Sequence, residues 1–122
     1  MHTTYKRLRV WKKSIQLVKQ IHALAGQLPG AERDNLTPRL RRAAVAIPTS
    51  IAEGRSRLSG RECRYHLGIA RGALFELGTQ LDLAVQLDYT TEPAAEPLRE
   101  RLREVDFLLD RLIRSSTDRH DN

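Results

Sequence analysis

The chain of 122 residues has little of several residue types, and each shortage excludes a class of protein. It contains one cysteine, Cys63, so no disulfide can form within the chain. Aromatic residues make up only 5% of it, and the abundance of Leu, Ala, Arg and Glu favours helices packed through aliphatic side chains. No apolar run approaches the roughly 20 residues of a membrane-spanning helix, and the N-terminal segment lacks the apolar core of a signal peptide. We therefore expect a soluble, cytoplasmic, all-α protein with no membrane partner.

The length predicts one domain. A chain of 122 residues can form one modest core but not two. We expect a single domain over residues 1–122, with its core at about 8–114 and a flexible polar tail at 115–122.

The spacing of apolar residues predicts four helices. The first runs from Val10 to Gln27, the second from Thr37 as N-cap to Glu53, the third from Ser59 to Leu87, and the fourth follows the Pro93–Pro97 segment. Because all connections are short, consecutive helices are expected to be antiparallel. The predicted fold is an up-down-up-down four-helix bundle.

Several residues predict local features of these helices. Pro48 lies inside the second helix, where a kink or brief break is expected. Gly54 suits the left-handed residue that closes a helix. Ser59 and Glu62 match a capping box at the start of the third helix.

Helix one carries two adjacent apolar stripes. One contains Trp11, Ile15, Val18, His22 and Ala25, and the other contains Leu17, Ile21, Leu24 and Leu28. A helix with two such stripes either lies deep in a bundle or serves both the core and a contact between subunits, and the shortness of the chain favours the second. His22 is predicted to be a hydrogen-bonded core residue.

No catalytic constellation can be assembled from the sequence. The chain contains neither the Glu-x-x-His motif of di-iron bundles nor a phosphate-binding glycine loop. Glu62, Cys63 and His66 are close enough to form one corner of a metal site, but a capping glutamate, a buried thiol and a boundary histidine explain them better. We therefore predict no enzymatic activity, no catalytic residues, no cofactor and no metal.

Charge is distributed unevenly along the chain. Residues 1–64 contain 14 lysines and arginines against 4 acidic residues, whereas residues 65–122 contain 7 against 11. The first half is therefore a candidate surface for a polyanion.

Arginine suits phosphate because its planar guanidinium donates two parallel hydrogen bonds and stays charged. If the third helix extends back by one turn, its four arginines cover an arc of roughly 80° at 100° per residue. Three more arginines open helix two, and a separate cluster, Lys6, Arg7, Arg9, Lys12 and Lys13, opens helix one. The residues predicted to bind RNA or DNA backbone are Arg39, Arg41, Arg42, Arg57, Arg61, Arg64 and Arg71.

The same arginines have an alternative partner in the acidic residues of helix four, namely Glu96, Glu100, Glu104, Asp106 and Asp110. In that case the protein is a scaffold whose arginines form salt bridges within or between subunits. Glu53 opposes the dipole of helix two, and we expect it to pair with Arg55, Arg57 or an arginine of a neighbouring helix.

Four segments together resemble one known family. The strongest is LRRAAVAIPTSIAEGRSR at residues 40–57, supported by VWKK at 10–13, GIARGALFEL at 68–77 and TQL at 79–81. In these segments the chain resembles the four-helix-bundle family of proteins encoded in intervening sequences of bacterial 23S ribosomal RNA genes. The motif residues for which we expect structural roles are Trp11, Pro48, Glu53 and Gly54.

The resemblance implies a cytosolic bundle that forms a ring-like homopentamer, without known enzymatic activity and with an undefined cellular role. It also implies a relation to the accessory protein of diversity-generating retroelements, a basic pentamer that binds nucleic acid and a reverse transcriptase. The expected partners are further copies of the chain, RNA or DNA, and a reverse transcriptase or another protein.

Overall fold

The computed structural model describes residues 4–120, and the side chains of residues 5–116. Within that part the chain forms four long helices: α1 (Arg9–Ala25), α2 (Leu36–Arg55), α3 (Gly60–Gln86) and α4 (Glu92–His120). Two short 3₁₀ turns, Thr4–Arg7 and Gly30–Glu32, precede α1 and α2, and the described residues include no β-strand. The predicted all-α class is confirmed.

The helices pack around one core. Each helix contacts the next, and α4 contacts α1, so α3 lies diagonally across from α1. The largest fully buried aliphatic side chains are Leu17, Ile21, Leu40, Ile47, Ile51, Leu67, Leu77, Leu81, Val105 and Leu109. Burial of each stabilises the fold by roughly 1.5–3 kcal/mol. None of the helices described here is long and apolar enough to cross a membrane.

The second helix starts earlier than predicted. Asn35, not Thr37, occupies the N-cap position, and its side chain makes no capping bond. The Glu32 carboxylate takes over this role, because Glu32 Oε1 accepts hydrogen bonds from the Leu36 N–H (3.1 Å) and from Asn35 Nδ2 (3.2 Å). An acceptor from the preceding turn thus takes the place of the side-chain cap that the sequence assigned to Thr37.

The predicted end of α2 is also corrected. Gly54 does not adopt a left-handed conformation, and α2 continues through it to Arg55. Gly54 is buried, and a Cβ atom there would lie 3.1 Å from the Cys63 carbonyl oxygen. Its role is therefore close packing of α2 against α3. Helix α2 also continues without a break through Pro48.

The capping box of α3 is confirmed. The Ser59 side chain accepts a hydrogen bond from the Glu62 N–H at 3.1 Å and donates one to Glu62 Oε1 at 3.2 Å. Helix α3 therefore begins at Gly60. It ends at a turn in which Asp88 has a φ of 63°, a conformation that a short polar side chain tolerates.

Helix α4 extends further than predicted at both ends. It begins at Glu92, where Thr91 Oγ1 accepts a hydrogen bond from the Ala94 N–H at 3.2 Å. It continues past residue 114 to His120, and Ser116 is fully buried with its Oγ 3.4 Å from Cys63 Sγ. The packed part of the chain thus reaches at least residue 116, while residues 121–122 of the predicted tail lie outside the described residues.

One of the two stripes of α1 enters the core. Leu17, Ile21 and Leu24 are buried, whereas Trp11, Ile15 and Val18 are only half-buried. The predicted core position of His22 was wrong, because its side chain is exposed. The predicted hydrogen bond is present, between its Nδ1 and the Val18 carbonyl oxygen at 3.1 Å.

Candidate nucleic-acid interface

The seven predicted arginines do not form one surface. Arg39, Arg41 and Arg42 lie in the first turns of α2, whereas Arg57 follows its end. At 1.5 Å per residue, Arg42 is roughly 20 Å from the last turn of α2. Because Ser59 caps α3 with extended backbone, Arg57 also lies outside α3 and does not prolong its arginine stripe.

Tertiary contacts bring parts of all four helices together at one end of the molecule. Gly54, at the end of α2, packs against Cys63 near the start of α3. Cys63 in turn contacts Ser116 near the end of α4. The start of α1 adjoins the same region, because Leu8 and Leu112 line one groove and Trp11 and Pro48 line another.

Exposed cations from four segments meet at this end. They are Lys6 and Arg7 of the first 3₁₀ turn, Lys12 of α1, Arg57 of the α2–α3 connection and Arg61 of α3. Among residues 5–116, none of these five forms an ion pair. We call these five residues the basic end.

The basic end differs from the predicted set. It keeps Arg57 and Arg61, and it adds three cations from the cluster that opens helix one. Arg39 and Arg42 are exposed but lie at the other end of α2, and Arg64 is half-buried. The sequence displayed the added cations as a cluster, but only the packing of the first turn against α2 places them beside the α2–α3 connection.

Two further predicted arginines are in different environments. The Nε atom of Arg41 is buried and has no hydrogen-bond partner among the described residues. The Arg71 guanidinium lies over the Phe75 ring, 5.6 Å from its centroid, a cation–π contact that leaves its charge exposed.

The acidic residues of α4 pair mostly with cations of α1 and α4. Glu104 contacts Lys13 at 3.4 Å and Arg101 at 2.9 Å. Other pairs are Arg103–Glu96 at 2.8 Å and Arg114–Asp110 at 2.9 Å. No ion pair within residues 5–116 involves Arg39, Arg42, Arg57 or Arg61.

The electrostatics of Glu104 and Arg99 reflect this pairing. Partial burial alone would raise the pKa of Glu104, but hydrogen bonds from Arg101 and Lys13 and their charges outweigh it, so the pKa is lowered. Hydrogen bonds to Glu92 (2.7 Å) and Asp82 (2.5 Å) raise the pKa of Arg99. These carboxylates neutralise their own neighbours, and the positive charge of the basic end remains uncompensated by them.

Three of the family-motif residues line one groove. Trp11 of α1 faces Pro48 and Glu53 of α2. The Tyr5 ring packs edge-on against the Trp11 ring, with 5.4 Å between the ring centroids. The Glu53 side chain is exposed and forms no ion pair within residues 5–116, so the expected salt bridge to Arg55, Arg57 or a neighbouring helix is not among the described contacts.

Two of the three residues considered as part of a metal site have other roles. Glu62 belongs to the capping box, and Cys63 is fully buried against Ser116. The described residues contain no group of three or more His, Cys, Asp or Glu side chains that could hold a metal ion.

Comparisons with known proteins agree with the fold. The model of the 23S rRNA-intervening sequence protein family matches residues 6–111. A crystal structure of a protein of unknown function from Bacteroides thetaiotaomicron VPI-5482, described as belonging to the S23 ribosomal protein family, is similar with a TM-score of 0.78. The two chains share 23% identity, over 85% of this chain and 97% of the other. The search of curated proteins returned no match. Because the family model spans most of its length, the chain belongs to the 23S rRNA-intervening sequence protein family.

Proposed function

We propose that the protein is a cytoplasmic, non-enzymatic homo-oligomer, expected to be a pentamer, that binds the phosphate backbone of RNA or DNA through its basic end. The observation that carries the proposal is the group of five exposed cations from four segments without an ion pair in residues 5–116. Such a cluster attracts phosphates regardless of base sequence. Repetition around a ring would add avidity without new contacts.

The helices are proposed to run antiparallel, as an up-down-up-down bundle. Support comes from the order of contacts along α1 and α4. Arg9 and Lys13, early in α1, contact Glu104, whereas Gln20, later in α1, accepts a hydrogen bond from Arg101, which precedes Glu104 in α4. In this arrangement the basic end is one end of the bundle. The pentamer and a reverse transcriptase as partner rest on the family resemblance alone.

A charge-reversal experiment tests the assignment. Arg57→Glu/Arg61→Glu changes the basic end, and Arg39→Glu/Arg42→Glu makes the same change in net charge at the other end of α2. Binding of each variant to a structured RNA and a matched duplex DNA is measured across a salt series, with the oligomer size recorded. We expect the first variant to lose about tenfold or more in affinity and about two units of the log–log salt slope, and the control to lose much less.

Other outcomes would contradict the proposal. Equal losses in both variants would mean that overall charge, not the basic end, determines binding. No binding by the wild type at low salt, with the oligomer intact, would favour the alternative of a protein-binding scaffold. An oligomer that dissociates on reversal of Arg57 and Arg61 would assign these arginines to salt bridges between subunits.

A further inference from the structure

Helix α3 carries an apolar stripe on the side that faces away from the core. Tyr65, Ile69, Leu83 and Leu87 are 42–67% exposed. With Gly72, Glu76 and Thr79 between them, they recur at three- and four-residue spacing and so lie along one side of the helix. We call these seven residues the α3 ridge. Its apolar side chains form two pairs, Tyr65 with Ile69 and Leu83 with Leu87, on either side of Glu76, and exposed apolar surface of this kind marks a site of interaction.

Two glycines, Gly68 beside the ridge and Gly72 within it, support this interpretation. A Cβ atom at Gly68 or Gly72 would meet no atom within 4 Å, so neither glycine is required by packing within the chain. A glycine inside a helix costs about 1 kcal/mol relative to alanine. The flat surface that these glycines leave next to Ile69 allows the close approach of another chain.

A complementary apolar groove lies between α1 and α2. Its floor is formed by Trp11, Ile15 and Val18 of α1 and by Val45, Pro48 and Ala52 of α2. We call it the α1–α2 groove. Val45 is 44% exposed. Exposed Lys19 follows Val18 and exposed Arg42 precedes Val45 by one turn, so one end of the groove is positively charged, while exposed Glu53 lines the groove near Ala52.

Charge and position favour a second copy of the chain as the occupant of this groove. Glu76 is the ionisable residue at the centre of the α3 ridge, and its described contact is with Gln80 of the same helix. Two ridges packed about their centres would bring one Glu76 against another, whereas the α1–α2 groove offers Lys19 and Arg42. Because α3 lies across the bundle from α1, the ridge of a chain does not reach its own groove.

We infer that the α3 ridge of one copy packs into the α1–α2 groove of the next copy. This contact joins different surfaces of the two chains, so it is heterologous and builds a ring when the rotation closes. The inference rests on the self-association in the proposed function and assigns it to particular surfaces; it is independent of nucleic-acid binding.

Single-sided variants test this pairing. Ile69→Asp disrupts the ridge and leaves the groove intact, Val45→Asp does the reverse, and Phe107→Asp is a control on α4 outside both surfaces. All three positions are exposed in the monomer. We expect each of the first two variants to sediment as a monomer, the control to keep the wild-type oligomer, and a one-to-one mixture of the first two to form a heterodimer. In the mixture, the intact ridge of the Val45→Asp chain can pack into the intact groove of the Ile69→Asp chain. The other ridge and the other groove are both disrupted, so each pair of chains makes a single contact.

A milder pair of variants tests the same contact if aspartate perturbs the fold. Glu76→Lys and Lys19→Glu should each weaken association, and their combination in one chain should restore it. Wild-type oligomers in both aspartate variants, or a mixture that stays monomeric, would overturn the inference while leaving the proposed oligomer in place. A monomeric wild type would overturn both, and the salt-dependent binding experiment would still decide the role of the basic end.

Discussion

At the scale of single residues, Gly54 illustrates how a motif residue acquires its role from packing. The sequence suggested that it closes α2 in a left-handed conformation, but it is helical and buried against α3. A side chain there would approach the Cys63 carbonyl oxygen (3.1 Å), Leu67 Cδ2 (3.3 Å) and His66 Cβ (3.4 Å). The absence of a Cβ therefore sets how closely α2 and α3 approach.

We expect Gly54→Ala to lower the free energy of unfolding by about 1 kcal/mol, because overpacking against the α3 backbone outweighs the gain in helix propensity. Gly78→Ala is the matched control, since no atom lies within 4 Å of a Cβ there. This variant should be stabilised by about 0.5–1 kcal/mol. Denaturant unfolding measures both values, and a stabilised Gly54→Ala would show that α3 shifts without cost.

At the scale of helices, the chain caps the N-termini of its helices by different means. Ser59 caps α3 through its own side chain, Thr91 caps α4, and α2 depends on Glu32 from the preceding 3₁₀ turn. Only the Ser59 box has a spacing that the sequence makes recognisable. Glu32 precedes Leu36, the first residue of α2, by four positions, and no known capping motif has that spacing. The sequence therefore favours Thr37 as the cap of α2 instead of Glu32.

Ser59→Ala should therefore reduce the free energy of unfolding by about 1 kcal/mol, because the Glu62 N–H loses its acceptor. Thr37→Ala removes the other residue that the sequence assigned as a cap, and it should change stability by less than about 0.5 kcal/mol. The free energies of unfolding of the two variants, measured at equilibrium, show which of the two residues caps a helix. Equal losses would mean that Thr37 contributes to the start of α2 after all.

At the scale of the whole molecule, a hydrogen bond joins two connections that are distant in sequence. The Tyr89 hydroxyl, after α3, donates to Glu32 Oε2, before α2, at 2.7 Å. This bond, together with that from the Leu36 N–H, lowers the pKa of Glu32. The same bond raises the pKa of Tyr89. Glu32 thus links the α1–α2 connection to the α3–α4 turn while it caps α2.

The two shifts predict opposite losses of stability at the extremes of pH. Glu32 contributes stability above its unfolded pKa of about 4.3, and this contribution disappears as pH falls through its lower folded pKa. Tyr89 contributes below its unfolded pKa of about 10, and this contribution disappears as pH rises through its higher folded pKa. Tyr89→Phe should flatten both limbs of a plot of unfolding free energy against pH. Tyr65→Phe, an exposed tyrosine on α3, is the control, and unchanged limbs in Tyr89→Phe would refute the linkage.

The sequence by itself determined the local features of this protein. Apolar spacing identified four helices and most of the core of α3, because burial of one helix face is encoded within a few turns. The Ser59 box and the segment at residues 40–57 were likewise readable, since both are contiguous in the chain. The family assignment followed from such contiguous segments.

Only the tertiary structure decided which distant residues meet. It separated Arg39 and Arg42 from Arg57 and Arg61, and it brought Lys6 and the others of the basic end together. It also buried much of α1 and left the α3 ridge exposed, although both helices carry apolar stripes. The physical reason is that periodicity defines the faces of a helix, whereas the packing partner of each face depends on contacts between helices, which no local spacing specifies.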